Sequence, residues 1–205
     1  MFAGSRAAAL DEAGAVLADG TRIGSALVVN AAGTGAPGLT SGLPIRKKKG
    51  HLVITERYPG FVSHQLVELG YIKSAHASEA DSVAFNVQPR ETGQVLLGSS
   101  RQYDRDDAGI DNAILAKMTN RAFEFMPALR KLTAVRVWTG FRPATPDNLP
   151  AIGRHPVNEN LLIAAGHEGL GITTALGTAE LIADEIAGRP SAIDRTPFSP
   201  ARFFA

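Results

Sequence analysis

The decapeptide Ala164-Ala165-Gly166-His167-Glu168-Gly169-Leu170-Gly171-Ile172-Thr173 lies between two segments of different periodicity. Before it, Leu161–Ala165 is a short apolar run of strand length. After it, Ile172, Ala175, Leu176, Ala179, Ile182, Ala183 and Ile186 recur at helical spacing, and Gly188 can close the helix. The spacing predicts a strand, a glycine turn and a helix from about Leu170 to Ala187. Amides at a helix start bind anionic or electron-rich groups, and glycines admit a flat ligand close to the backbone. An ordinary capped turn gives the same pattern. His167 taken alone reads as a hydrogen-bonded turn residue.

A second informative segment precedes it: Trp138-Thr139-Gly140-Phe141-Arg142-Pro143-Ala144-Thr145-Pro146-Asp147-Asn148-Leu149-Pro150. Leu132–Phe141 reads as a strand, and three prolines stiffen the loop Arg142–Pro150. Arg142 therefore sits on a rigid backbone. Its planar fork suits a substrate carboxylate through two parallel charge-assisted hydrogen bonds. A structural ion pair with Asp147 or another acid is an equal alternative on these residues alone.

Further upstream, Asp111 can cap a helix ending at Phe125, with Ile114, Leu115, Met118, Ala122 and Phe125 on one face. Strands are expected at His51–Glu56, roughly Val62–Ser74, Ser82–Pro89 and Gln94–Ser99, forming an antiparallel sheet between about 43 and 100. Ala15–Leu17 and Thr21–Ile23 flank the tight-turn signal Ala18-Asp19-Gly20. The apolar run Ala26–Ala32 predicts a strand buried on both faces. The basic run Arg46-Lys47-Lys48-Lys49 reads as a solvated loop.

Gly33-Thr34-Gly35-Ala36-Pro37-Gly38 fits G-x-G-x-x-G, and Glu56 lies 23 residues beyond Gly33, near where a ribose-binding acid would sit. The motif works only if a helix opens inside it and aims its amides at a pyrophosphate. Gly42 and Pro44 leave no room for such a helix, so a glycine-rich turn is the better reading.

Composition narrows the classes. The chain has 205 residues, 44% hydrophobic, with a formal net charge of +1 and no cysteine. That length fits one domain, or a large one with a smaller neighbour. The charge supplies no basic footprint for nucleic acid. Disulfides, thiolate catalysis and cysteine-based metal sites are excluded. No histidine spacing suggests a metal site, and no G-x-S-x-G elbow is present. The start reads as no signal peptide, and no run approaches the roughly 18 apolar residues of a membrane span. A cytoplasmic protein is expected, at most peripheral at the inner membrane face.

In this order, Gly140–Gly153 and Ala164–Ile172 resemble the C-terminal half of the D-amino-acid oxidase and glycine oxidase superfamily. The shared pattern is G-[FL]-R-P-x-T-x-D-x-x-P-x-I-G, then A-x-G-H-x-x-x-G-I and a long helix. Val28–Gly33 resembles the strand near the ADP half of FAD. Gly98-Ser99-Ser100-Arg101-Gln102 and the turn at Gly166–Thr173 are similar to one branch of the superfamily, which holds flavin-bearing components of opine oxidase, hydrogen cyanide synthase and hydroxyproline dehydrogenase.

The resemblance implies an α/β fold. An α+β substrate domain with a mixed, largely antiparallel sheet (residues 43–140) would stand beside the C-terminal portion of a Rossmann-like FAD-binding domain (1–42 and 141–205). It also implies FAD as cofactor, an amino acid, glycine-like amine or opine as substrate, and oxidative deamination with hydride passing to the flavin. Arg142 would hold the substrate carboxylate. Gly169, lacking a side chain, would offer only a backbone contact to substrate. Gly166, His167, Glu168, Gly169, Leu170, Gly171, Ile172 and Thr173 would lie against the flavin. No protein nucleophile is required. A partner subunit accepting electrons is implied by the branch. The family's opening G-x-G-x-x-G unit has no counterpart in this chain, so weak FAD binding is expected, with a fold that keeps no flavin as the alternative.

Overall fold

The computed structural model describes residues 3–70, 81–103 and 105–204. The chain divides into two units, residues 1–46 with 142–205, and residues 47–141.

The first unit opens with a three-stranded antiparallel meander: β1 (Ala7–Asp11), β2 (Gly14–Leu17) and β3 (Arg22–Gly24). The turn at Ala18–Gly20 lies where its residues suggest, and β1 is an addition that its Ala-rich sequence did not signal. β4 (Val28–Asn30) follows. Val29 is 40% exposed, so the expectation of burial on both faces is corrected. β4 ends the strand order β10-β11-β4 and has one strand neighbour among the described residues.

After β4 the chain makes a single 3-10 turn at Gly33–Gly35 and the one-turn helix α1 (Ala36–Leu39). Buried Asn30 organises this bend: its amide donates to the Ala36 carbonyl at 3.0 Å and to Thr40 Oγ1 at 2.8 Å, and it accepts from Ala32 N–H. A four-residue helix ending at Leu39 is no dinucleotide cradle.

The second unit carries β5 (Arg46–Arg57), β6 (Leu66–Val67), β7 (Ser82–Pro89), β8 (Gln94–Tyr103), α2 (Asn112–Phe125) and β9 (Ala134–Ala144), whose last residues belong to the first unit. The strands form one sheet in the order β6-β7-β8-β5-β9, with β6, β7, β8 and β5 paired antiparallel. The strand expected at Val62–Ser74 is reduced to β6 among the described residues, and residues 71–74 of that range lie outside them. Asp111 caps α2, accepting from Ala113 and Ile114 N–H at 3.0 and 3.1 Å. Ile114, Met118 and Ala122 are buried on α2, the last two within a core of Val53, Phe85, Val87, Val95 and Leu97. Phe125 is half exposed and stacks on Phe85 with centroids 4.9 Å apart.

The basic run is not a solvated loop. It begins β5, and Lys48 and Lys49 are buried, pairing in register with Tyr103 and Gln102. Each ammonium finds a partner that offsets its loss of water: Lys49 and Lys47 reach Asp107 and Asp106 at 2.9 Å, and Lys48 lies 4.8 Å above the Tyr103 ring.

The chain then returns to the first unit with β10 (Ala151–Arg154), β11 (Leu161–Ala165) and α3 (Ala175–Ala187). β11 pairs antiparallel with β10 and parallel with β4, through Leu161–Val28, Leu162–Val29 and Ile163–Asn30. Leu181 and Ile182 of α3 pack on Ile152 and Leu162, and Gly188 ends the helix in the left-handed region at φ 64°. α3 begins five residues later than its apolar spacing suggested. Gly171 and the β-branched Ile172, Thr173 and Thr174 favour a looser turn there, held by Thr174 N–H and Oγ1 donating to the Leu170 carbonyl at 2.9 Å. No helix among the described residues is long and apolar enough to cross a membrane.

Candidate functional site

Two backbone segments of the first unit lie side by side. Ala144, at the end of β9, bridges antiparallel to His167, and Glu168 N–H donates to the Pro143 carbonyl at 2.8 Å. The segment carrying Arg142 and the bend after β11 are therefore fixed to one another by main-chain bonds. An ideal Cβ built on Gly169 lies 3.7 Å from Arg142 Cδ and Nε, which puts the Arg142 side chain against that glycine. Sequence reasoning linked these segments only by resemblance; hydrogen bonds bring them together.

Arg142 has an acid beside it, and that acid is not Asp147. Glu168 Oε1 lies 3.8 Å from Arg142 Nε, with side-chain exposures of 16% and 21%. Asp147 is engaged by Arg202, whose Nε donates to Oδ2 at 2.6 Å while Nη2 reaches Oδ1 at 3.3 Å and the Leu149 carbonyl at 2.8 Å. Burial pushes the Asp147 carboxyl up, but Arg202 and the Leu149 amide outweigh it and hold the group below its ordinary range. The tail thus braces the proline-stiffened loop. Arg202 was invisible beforehand because nothing local marks a residue 55 positions from its partner.

The bend uses its glycines unequally. Gly166 has φ 88°, and a Cβ there would fall 2.6 Å from Thr145 Cγ2. Thr145 is itself buried and donates to the Leu149 carbonyl at 2.7 Å. Glu168 occupies φ 49°, a conformation that costs a non-glycine residue. Its Oε2 accepts the Gly169 N–H in a short hydrogen bond.

His167 turns its ring toward α3, where Nε2 lies 2.9 Å from Thr178 Oγ1. Burial lowers its pKa, so the imidazole is held neutral. His167, Gly171, Ala175, Thr178 and Ala179 share a groove of about 420 Å³ with Val29, Ala31, Ala164 and Ile182. Arg142 does not line that groove. Leu170 and Ile172 are 60% and 98% exposed.

Among the described residues, the N–H groups of Gly171, Ile172 and Thr173 donate to no protein acceptor. They lie in the turn that precedes α3, whose N-cap is Thr174. Three such amides flanked by glycine suit an electron-rich, flat ligand edge. The donor set therefore fits a flavin ring better than a metal, and the described residues hold no group of three His, Asp or Glu that could bind one.

Comparisons with known proteins identify relatives of this chain. Glycine oxidase from Pseudomonas aeruginosa is 32% identical over 113 residues, covering 55% of this chain and 31% of that protein. The HcnC component of hydrogen cyanide synthase from the same organism is 28% identical over 181 residues, covering 86% of this chain and 40% of its own length. The crystal structure of glycine oxidase from Geobacillus kaustophilus superposes with a TM-score of 0.82 at 25% identity, over 97% of this chain and 52% of that one. The chain thus spans about a third to a half of the relatives it matches. The family profile described as "DAO: FAD dependent oxidoreductase" matches residues 1–185, and the chain belongs to that family.

Proposed function

We propose that this chain is the substrate-holding and flavin-ring-facing part of an FAD-dependent oxidoreductase that oxidatively deaminates a small amino acid, a glycine-like amine or an opine. The adjacency of Gly169 and Arg142 carries the reading: a Cβ at 169 would lie 3.7 Å from Arg142 Cδ and Nε, which sets the guanidinium beside the glycine-lined bend that precedes α3. In this reading Arg142 binds the substrate carboxylate and Gly169 leaves room for it. Gly166 to Thr173 pass along the ring, with the amides of Gly171, Ile172 and Thr173 directed at its electron-rich edge.

FAD supplies, when bound, the two-electron acceptor of the reaction. The protein's share is positional. Arg142 fixes the carboxylate, hence the α-carbon, and removes orientational freedom that would otherwise raise the barrier. His167, tied to Thr178 at 2.9 Å and with its pKa lowered by burial, holds the bend on α3. The similarity to glycine oxidase and to a component of hydrogen cyanide synthase supports a small amine carrying a carboxylate. We assign the 1–46/142–205 unit, which carries both Arg142 and the Gly166–Thr173 bend, to the flavin ring and the substrate carboxylate. A partner that accepts electrons belongs to the same proposal.

The test is spectroscopic. Purified protein titrated with FAD should perturb the flavin spectrum. Anaerobic glycine, D-amino acids or opines should then bleach the flavin, and Arg142→Ala should raise the concentration needed by about tenfold or more. A bound flavin that stays oxidised with every amine, or an unchanged requirement in Arg142→Ala, overturns the assignment.

A further inference from the structure

Glu168 is the one feature of the bend that the proposed chemistry leaves unexplained. A turn that needs φ 49° is ordinarily built with glycine, and glycines stand close by at 166, 169 and 171. An acid occupies this position instead. Its Oε2 accepts the Gly169 N–H, and Oε1 lies 3.8 Å from Arg142 Nε, at ion-pair distance but beyond hydrogen-bond reach. Its own N–H is fixed to the Pro143 carbonyl, next to Arg142 in sequence. The carboxylate is therefore built into the Arg142 site, with its main chain and side chain both anchored.

We propose that Glu168 is a specificity-determining residue, which makes the Arg142 site select zwitterions over simple carboxylates. The proposal rests on the reading of Arg142 as a carboxylate clamp. A lone guanidinium attracts any small carboxylate. With the Glu168 carboxylate 3.8 Å from Nε, an approaching monoanion meets the attraction of Arg142 and the repulsion of Glu168 together. The α-carbon of a carboxylate held on the guanidinium lies within a few ångströms of it, and so of Glu168. An ammonium on that carbon offsets the Glu168 charge, whereas a hydroxyl does not. Both side chains are mostly shielded from solvent, so screening reduces the effect without removing it. The substrate class that follows is an α-amino acid or an N-substituted amino acid arriving in its cationic-amine form.

Glycine and glycolate test this directly, since they share size and carboxylate and differ in ammonium against hydroxyl. The full chain, ¹⁵N-labelled and with FAD added, is titrated with each while the Arg142 Nε–H and Gly169 amide signals are followed. Wild type is expected to bind glycine at least about threefold more tightly than glycolate. Glu168→Gln should tighten glycolate and bring the two within about 1.5-fold, and Glu168→Asp should keep a preference for glycine.

Equal binding in wild type, or an undiminished preference in Glu168→Gln, overturns the role of Glu168 and leaves the clamp standing. Failure of both ligands to shift the Arg142 signal in any of the proteins overturns the clamp itself. Equal binding of the two ligands by wild type is decisive even if Glu168→Gln does not fold, and Glu168→Asp then supplies the second reading.

Discussion

The methyl group of Thr145 fills the space that any side chain at Gly166 would require, since a Cβ there would lie 2.6 Å from Thr145 Cγ2. Position 166 also sits at φ 88°. Steric overlap and backbone strain add at this point, so Gly166→Ala should destabilise the protein by about 3 kcal/mol or more, read from urea denaturation. Thr145→Ser removes the offending methyl while keeping a hydroxyl for the Leu149 carbonyl. The double variant should therefore recover part of the loss. Recovery of none would show that the strain at 166, not Thr145, dominates.

The N-terminus of α2 depends on one carboxylate. Asp111 Oδ1 accepts two amides of the first turn, and Oδ2 accepts from Gln102 Nε2 at 3.0 Å. The Ile114 amide and the Gln102 side chain are the main reasons its pKa lies below the ordinary value. Asp111→Ala should lower the melting temperature, and Asp111→Asn distinctly less, because an amide oxygen still caps. Equal losses in thermal denaturation would mean that the charge, not the cap, matters.

His51 links the same cap to the sheet. Its Nε2 accepts the Asp111 N–H at 3.0 Å, which leaves the proton on Nδ1, 2.9 Å from Ser100 Oγ. Burial, and secondarily the Lys49 charge, lower its pKa in the folded protein. The unfolded chain then binds the proton more readily, so stability rises with pH across the interval between the depressed folded value and about 6.5. The stabilisation is complete above that interval and is lost as pH falls through it, because protonated Nε2 can no longer accept. Urea midpoints measured from about pH 5 to 8 should rise, and His51→Gln should flatten the part of the slope that His51 supplies.

What could be read in advance followed local chemistry. Asp111 as a cap, the strands Ser82–Pro89 and Leu161–Ala165, and Gly188 as a stop each have their cause within a few residues. The errors have distant causes. Lys48 and Lys49 look solvated until Tyr103, Gln102 and Asp107 arrive from β8 and beyond. Val29 looks doubly buried because apolar content does not say which strand ends a sheet. At the site, Arg142 and the bend were legible as motifs, and their adjacency was legible by resemblance alone. Glu168, rather than Asp147, as the acid beside Arg142 could not be read, since both are acids in turns and only the Ala144–His167 bridge brings one of them close.

Gly169 separates folding from function. No positive φ is required there, and a Cβ would meet Arg142 Cδ and Nε at 3.7 Å, an ordinary van der Waals contact. Gly169→Ala should therefore leave stability within about 1 kcal/mol, with the preceding Glu168 turn intact. The added methyl nevertheless occupies the flank of Arg142 on which a bound carboxylate depends for room. Weaker binding of glycine to the FAD-supplied protein is expected, by about threefold to tenfold, with the far-ultraviolet spectrum and melting temperature unchanged. If Gly169→Ala binds glycine as wild type does, the ligand approaches Arg142 from its other face.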